Sequence, residues 1–175
     1  FEAGGHNGRE ETTTLVLVPE VCRKVTIPVI AAGGIATGRA MYATMALGAE
    51  GVQMGSRFIA TDEASVHPLF KQEVLKAKEG DTVLTLKELS PVRLLKNPFY
   101  EQVEALYQQR EATPENLKQL LGKGRTKLGM YDGDLKEGEL EIGQVSSLIE
   151  EVKTVKEVFE EVLAEFQQTR DLMIN

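Results

Sequence analysis

The sequence contains one cysteine, no apolar run long enough to cross a membrane, and fewer basic than acidic residues. The single cysteine, Cys22, excludes a disulfide within the chain and has no partner at the spacing of a zinc site. The apolar runs all fall short of the roughly 18 residues that indicate a membrane span. Acidic residues outnumber basic ones, 27 to 20, and the net charge of −7 argues against a nucleic-acid-binding protein. We therefore expect a cytoplasmic protein that binds no nucleic acid, membrane or metal.

The first residues lack an initiator methionine and both regions of a signal peptide. The chain opens in a glycine-rich turn, and we interpret it as a piece of a longer polypeptide. Its 175 residues, 42% of them hydrophobic and 27% charged, suffice for a sizeable globular core.

Two short apolar runs that end at glycine predict a β–α–β unit. Residues 27–32 end at a Gly-Gly pair, and residues 51–54 end at Gly55. Continuous apolar runs of this length are typical of strands buried on both faces of a parallel sheet. A helix over 39–47, stopped by Gly48, is predicted to connect them. Further helices are predicted over 20–25 with Pro19 at the first position, 65–77, 98–109, 114–121, and 144–173 with a break near Thr154.

The two glycine turns are candidates for a phosphate site, because the loops after neighbouring barrel strands frequently hold a phosphate. Glycine lets main-chain N–H groups approach an anion closely, and a nearby helix N-terminus adds partial positive charge. Ser56 adds a hydroxyl donor, and Arg57 could add charge. The alternative is that both are tight turns that bind no ligand. The occurrence of two such turns at this spacing disfavours that alternative. The candidate residues are Gly33, Gly34, Gln53, Met54, Gly55 and Ser56.

One histidine and one basic cluster are the other candidates for a functional role. His6 is flanked by glycines, and an imidazole with an ordinary pKa of about 6.5 suits general acid or base work; the alternative is a solvated loop residue. His67, before Pro68, is predicted to be structural. A basic cluster is interpreted either as a docking site for an anionic partner or as a solvated surface. Its members are Lys118, Lys123, Arg125 and Lys127, and Arg93 and Lys96 could extend it.

Three stretches resemble the nitronate monooxygenase/2-nitropropane dioxygenase family: EAGGHNG (2–8), IPVIAAGGIATGRAM (27–41) and GAEGVQMGSRF (48–58). The group includes the FMN-dependent (type II) enoyl-acyl-carrier-protein reductases, which SPVRLLKN (90–97) and GELEIGQVSSLI (138–149) resemble more closely. The resemblance implies an α/β fold, the C-terminal part of a TIM (β/α)8 barrel with an inserted, small, mainly helical substrate lobe. Residues 1–80 would form the last strands and helices of the FMN-binding barrel, 81–143 the lobe, and 144–175 a C-terminal helix that returns to the barrel. The other strands are expected in the preceding stretch of the same polypeptide.

The resemblance implies an enoyl-acyl-carrier-protein reductase of fatty-acid synthesis that passes hydride from NADH or NADPH through FMN to an enoyl thioester. The alternatives are a nitronate monooxygenase and a phosphate-binding barrel without redox activity. His6 corresponds to the family's active-site histidine. The expected partners are the carrier-protein-bound substrate, docked at the basic cluster, and a second copy in a homodimer. The residues expected around FMN are Gly4, Gly5, Gly33, Gly34, Gln53, Met54, Gly55 and Ser56.

Overall fold

The computed structural model of the protein describes Gly5 and residues 12–174. Helices and short strands alternate in the first half of this part, and a hairpin and further helices follow. The elements are α1 (Thr14–Cys22), β1 (Ile30–Ala32), α2 (Gly38–Ala46), β2 (Gly51–Gln53), α3 (Ser56–Ile59), α4 (Pro68–Lys76), β3 (Thr82–Thr85), β4 (Val92–Leu95), α5 (Pro98–Gln108), α6 (Pro114–Leu121), a π-helical segment (Lys127–Tyr131), a 3₁₀ helix (Gln144–Leu148) and α7 (Val155–Ile174).

The predicted β–α–β unit is confirmed. Strands β1 and β2 pair in parallel, with Ala32 opposite Gln53, and α2 connects them. Thr37 caps α2 because its hydroxyl accepts the N–H of Ala40 at 3.1 Å, and Gly48 ends the helix with a φ of +105°. The prediction that both strands are buried on both faces is wrong. Ile30 is 56% exposed, and among the described residues β1 pairs only with β2, so its other edge has no strand beside it.

Helix α1 begins earlier than the proline suggests. The apolar run 15–18 forms its first turns, and Pro19 lies inside the helix rather than at its first position. Helical hydrogen bonding continues past the proline, since the N–H of Arg23 donates to the carbonyl of Pro19 at 3.1 Å. Burial of one face explains this outcome: Val18 is buried in a cluster with Ala31 of β1, with Cys22 packed against it.

The lobe after α4 has its own core. Strands β3 and β4 form an antiparallel hairpin, with Thr82 opposite Leu95. Helices α5 and α6 occur where the sequence predicts them, because each begins with a capping residue followed by proline (Asn97-Pro98 and Thr113-Pro114). Six buried residues form the core: Leu86, Val92, Leu94, Phe99, Val103 and Leu117.

Helix α7 begins at the predicted break near Thr154. The N–H of Thr154 donates to Glu157 Oε2 at 2.8 Å, and the N–H of Glu157 donates to Thr154 Oγ1 at 3.2 Å. This reciprocal capping box starts a new helix, which separates α7 from the preceding 3₁₀ helix. One face of α7 packs on α2, where the rings of Tyr42 and Phe166 lie 5.8 Å apart. Within residues 12–174, no helix combines the length and apolar character that a bilayer crossing requires.

Candidate functional site

The two glycine turns lie side by side at one edge of the sheet. Because β1 and β2 are parallel and Ala32 is opposite Gln53, the chain leaves both strands at the same end. Adjacent strands are about 4.8 Å apart, so Gly33 and Met54, which follow them, are neighbours. The predicted juxtaposition of the turns is confirmed. The role of these residues as ligands of a phosphate stays a prediction.

The glycines of the two turns serve different purposes. Gly33 and Gly34 have φ angles of +91° and +73°, which a residue with a side chain adopts only with strain. Gly55 has an ordinary φ of −100°, and no atom lies within 4 Å of the position that a Cβ would occupy. The fold therefore requires glycine in the first turn, whereas at Gly55 it leaves an open space that an added side chain would fill.

Main-chain donors in the turns are available to a ligand. Outside the strand ladders and helices, the N–H groups of Gly34 and Gly55 have no acceptor among the described residues. Ser56 Oγ accepts the N–H of Gly143 at 2.9 Å, so its hydroxyl proton can still be donated to an anion. These open N–H groups, and the space beside Gly55, fit a phosphate group.

The N-terminus of α2 is already occupied by protein groups. The N–H of Gly38 donates to Glu165 Oε2 at 2.7 Å, and that of Ala40 donates to Thr37 Oγ1. Donors for a ligand at the first turn therefore come from the glycines themselves and not from these two groups of the helix.

A cavity of about 690 Å³ adjoins the first turn. Thr14 Oγ1, at its wall, donates to the carbonyl of Gly33 at 3.1 Å and so ties the start of α1 to the turn. Gly34 lines the cavity, whereas Gly55 does not. The 3₁₀ helix supplies a second wall. The lining residues are Thr13, Thr14, Leu15, Gly34, Glu79, Gln144, Val145, Ser147 and Leu148.

Gln144 and Ser147 are candidate site residues that the sequence did not single out. They follow Ile142, which is buried in the core, and Gly143, whose N–H is held by Ser56. The signal available in the sequence was the stretch GQVSSLI, which resembles the family but contains no histidine or basic residue. Only the fold shows that this stretch faces the cavity beside Gly34.

Arg57 does not direct its charge at the turn. Its side chain is 7% exposed, and Nη2 donates to Glu161 Oε2 of α7 at 3.1 Å. Nη1 is buried and has no partner within residues 12–174. Glu161 also binds Lys153 Nζ at 2.7 Å, and this hydrogen bond, helped by the charges of Arg57 and Lys153, lowers the pKa of the Glu161 carboxyl. The guanidinium charge is thus compensated on the α7 side.

The predicted catalytic residue His6 and the candidate ligand Gly4 lie outside the described residues. Gly5 is described, and its carbonyl accepts the N–H of Arg93 at 2.7 Å. A Cβ on Gly5 would lie 3.4 Å from the main chain of Ile142. Gly5 therefore lies beside the segment that leads into the 3₁₀ helix.

Arg125 is engaged by the lobe itself, and docking of a partner at the basic cluster stays a prediction. The guanidinium of Arg125 donates to the carbonyls of Leu120 and Glu137 and lies 4.9 Å from the centre of the Phe99 ring. Arg125 therefore stabilises the lobe. Exposed members of the cluster are Lys118, Lys123 and Lys127.

Arg93 and His67 are structural. Arg93 is 5% exposed and therefore does not extend the cluster. Lys96 is exposed, and its Nζ donates to the carbonyl of Gly80 at 2.9 Å. His67 caps α4 by accepting the N–H of Leu69 at Nδ1, and its ring packs against Gly133. The predicted structural role of His67 is confirmed.

Comparison with known proteins identifies a family. The model of the nitronate monooxygenase family matches residues 1–165. A protein named probable nitronate monooxygenase from Staphylococcus saprophyticus is 44% identical over 56% of the chain, which covers 30% of that relative. The structure of FabK from Thermotoga maritima is 44% identical over 98% of this chain and 54% of its own, with a TM-score of 0.89. Nitroalkane oxidase from Streptomyces ansochromogenes is 28% identical over 98% of this chain and 51% of its own, with a TM-score of 0.72.

The chain thus spans about half the length of these solved relatives. Their likeness confirms the predicted fold class: the chain is α/β and forms part of a TIM (β/α)8 barrel, with a small, mainly helical lobe inserted after the β–α–β unit.

Proposed function

The chain belongs to the nitronate monooxygenase family, and on that premise we propose that it carries the cofactor-phosphate end of an FMN-dependent enoyl-acyl-carrier-protein reductase. The observation that carries the proposal is the pair of glycine turns, which leave neighbouring parallel strands at one edge with main-chain donors open. The likeness to FabK, the type II enoyl-acyl-carrier-protein reductase, supports the choice of reaction. This likeness covers 98% of the chain, and both its identity and its TM-score exceed those for the nitroalkane oxidase.

The residues present fit an FMN phosphate. The main-chain N–H groups of Gly33, Gly34 and Gly55 and the hydroxyl of Ser56 would hold it, with Gln53 and Met54 at the end of β2. When bound, FMN supplies the hydride relay between a reduced nicotinamide and the enoyl thioester. The protein contributes binding and orientation.

The cavity beside Gly34 is the proposed place for the reacting end of the substrate. Leu15 and Leu148 offer apolar surface to an acyl chain, while Gln144 and Ser147 offer polar groups to a thioester carbonyl. His6 is the proposed catalytic residue, which would orient the nicotinamide or the thioester or transfer a proton.

A second candidate, nitronate monooxygenase activity, is favoured by the family model and by the names of the curated relatives. There His6 would act as a base toward a nitroalkane or would orient a nitronate. The same glycine turns would serve both enzymes, since both use the cofactor phosphate in the same way.

An anaerobic half-reaction separates the candidates. We expect the purified full-length protein to be yellow, to be bleached rapidly by NADH or NADPH, and to regain its colour when crotonyl thioester is added, because the thioester accepts the hydride. Absorbance at the flavin band in a stopped-flow instrument measures both steps. Bleaching by a nitronate with negligible response to reduced nicotinamide would establish the monooxygenase instead. A protein without bound flavin would support a barrel that binds phosphate and has no redox activity.

Charge reversal at Lys123 is expected to raise the KM for enoyl-acyl-carrier-protein about threefold and to leave the KM for the enoyl-CoA unchanged. The reason is that Lys123 is exposed, as is Lys118 five residues earlier, whereas a carrier protein is acidic. Steady-state kinetics of Lys123→Glu with both substrates measure the difference. Lys78→Glu, at an exposed lysine outside the cluster, is the matched control. Equal effects on the two substrates, or equal effects of the two variants, would remove the docking site.

A further inference from the structure

Helix α7 contacts both helices that follow the glycine turns. The carboxylate of Glu165 accepts the N–H of Gly38, the first residue of α2, at 2.7 Å. One helical turn earlier, the carboxylate of Glu161 accepts Nη2 of Arg57, the second residue of α3, at 3.1 Å. Residues four apart lie on the same face of a helix, so one face of α7 holds the start of α2 and the start of α3 together.

Aromatic contacts repeat this arrangement. The ring of Phe166 packs on Tyr42 of α2, and the ring of Phe159 packs on Phe58 of α3 at 5.4 Å. Each of the two short helices therefore has one polar and one aromatic attachment to α7. The approach to α2 is close, because a Cβ on Gly38 would lie 2.2 Å from the carbonyl oxygen of Val162.

The polar attachments join α7 to residues that follow the two turns closely in the sequence. Gly38 is separated from Gly34 by three residues, and Arg57 follows Gly55 after one residue. The Arg57 side chain is nearly fully buried, with Nη1 unpartnered within residues 12–174, so Glu161 compensates a charge that has little access to water. Loss of either carboxylate would leave a buried donor without an acceptor and would allow the turn in front of it to shift.

We propose that Glu161 and Glu165 are positioning residues of the FMN site: they fix the separation of the two glycine turns and thereby set the affinity for the cofactor phosphate. This inference rests on the proposed function, since it assigns α7 a role in the affinity of the site for the FMN phosphate. Main-chain donors bind an anion only when they converge on it, so a shift of one turn relative to the other weakens binding without removing any ligand residue.

Four single variants of the full-length protein test the role of Glu165. Glu165→Leu removes the acceptor and is expected to raise the Kd of FMN for the apoprotein about tenfold, as measured by quenching of flavin fluorescence. Glu165→Gln keeps an acceptor oxygen, and its Kd for FMN is expected to stay within about twofold of that of the unsubstituted protein. Glu160→Leu, an exposed position on the same helix, is the matched control. Val158→Ala, at a fully buried position of α7, lowers the Tm without touching either attachment and is expected to leave the Kd unchanged.

The same measurement on Glu161→Leu tests the attachment of α7 to α3. Glu161→Leu is expected to weaken FMN binding as Glu165→Leu does, because Arg57 loses its partner. The double variant is expected to bind FMN more weakly than either single variant. A Kd that follows Tm across all variants, including Val158→Ala, would show that α7 only stabilises the fold and would overturn the proposal.

Hydrogen exchange gives a readout that needs no flavin. In the apoprotein, peptides that cover residues 38–41 and 56–59, whose hydrogen-bonded amides adjoin the two turns, are expected to exchange faster in Glu165→Leu and Glu161→Leu than in Glu160→Leu. Unchanged exchange in these peptides would overturn the positioning role. Failure of the unsubstituted protein to bind FMN would instead contradict the proposed function. Hydrogen exchange alone would then decide whether α7 positions the turns.

Discussion

Replacing Gly55 by valine is expected to weaken FMN binding about 100-fold, while the unfolding free energy of the apoprotein changes by no more than about 1 kcal/mol. The backbone at Gly55 has a φ of −100°, which valine tolerates, and no atom lies within 4 Å of the new Cβ position. Neither strain nor a clash therefore opposes the substitution in the apoprotein. The added methyl groups occupy the space beside the open main-chain N–H groups, where the cofactor phosphate is proposed to bind.

Fluorescence titration with FMN and urea denaturation of the apoprotein measure the two effects separately. Gly124→Val is the contrasting control, because Gly124 has a φ of +77° and lies in the lobe away from the turns. It is expected to cost about 1–2 kcal/mol of stability through backbone strain and to leave the affinity for FMN unchanged. If Gly55→Val binds FMN normally, the phosphate does not lie at this turn.

Replacing Gly38 by alanine is expected to destabilise the protein by about 3 kcal/mol or more, although alanine ordinarily stabilises a helix relative to glycine. The new Cβ would lie 2.2 Å from the carbonyl oxygen of Val162 and 2.3 Å from the main-chain nitrogen of Phe166. Both atoms belong to the backbone of α7, which cannot move aside like a side chain. Helices α2 and α7 would have to separate, and the Gly38–Glu165 hydrogen bond would lengthen with them.

Urea denaturation of the full-length apoprotein measures this loss. Gly51→Ala is the matched control, because its Cβ would lie 3.1 Å from Ile30 Cδ1, the mobile end of a half-exposed side chain, and it is expected to cost less than about 1 kcal/mol. A loss below about 1 kcal/mol at Gly38 would mean that the two helices are not in main-chain contact in solution.

Local signals in the sequence sufficed wherever a residue acts on its own neighbours in the chain. Helices α5 and α6 begin at the prolines where the sequence predicts them, and Gly48 ends α2 as predicted. The sequence pattern also predicted that the two glycine turns are adjacent, because consecutive parallel strands with a helix between them leave a sheet at the same edge.

The sequence alone did not predict structure that depends on residues distant in the chain. Pro19 reads as a helix start, but the burial of Val18 against β1 extends α1 beyond it. The β3–β4 hairpin was missed because its strands are held by a core with α5 and α6. Arg125 is indistinguishable from Lys123 in a list of basic residues, yet one lies over Phe99 and the other is exposed. Likewise, nothing near Glu161 or Glu165 in the sequence indicates that they reach the glycine turns.

The edge of β1 that no strand of residues 12–174 covers has a consequence for handling the polypeptide. Its outward-facing N–H and C=O groups form a template onto which a strand of another molecule can add, and exposed Ile30 makes that addition favourable. The net charge of −7 opposes the encounter at low ionic strength but is screened as salt is added. Preparations of these 175 residues alone are therefore expected to self-associate more readily in high salt, and measurements of cofactor binding belong on the full-length protein.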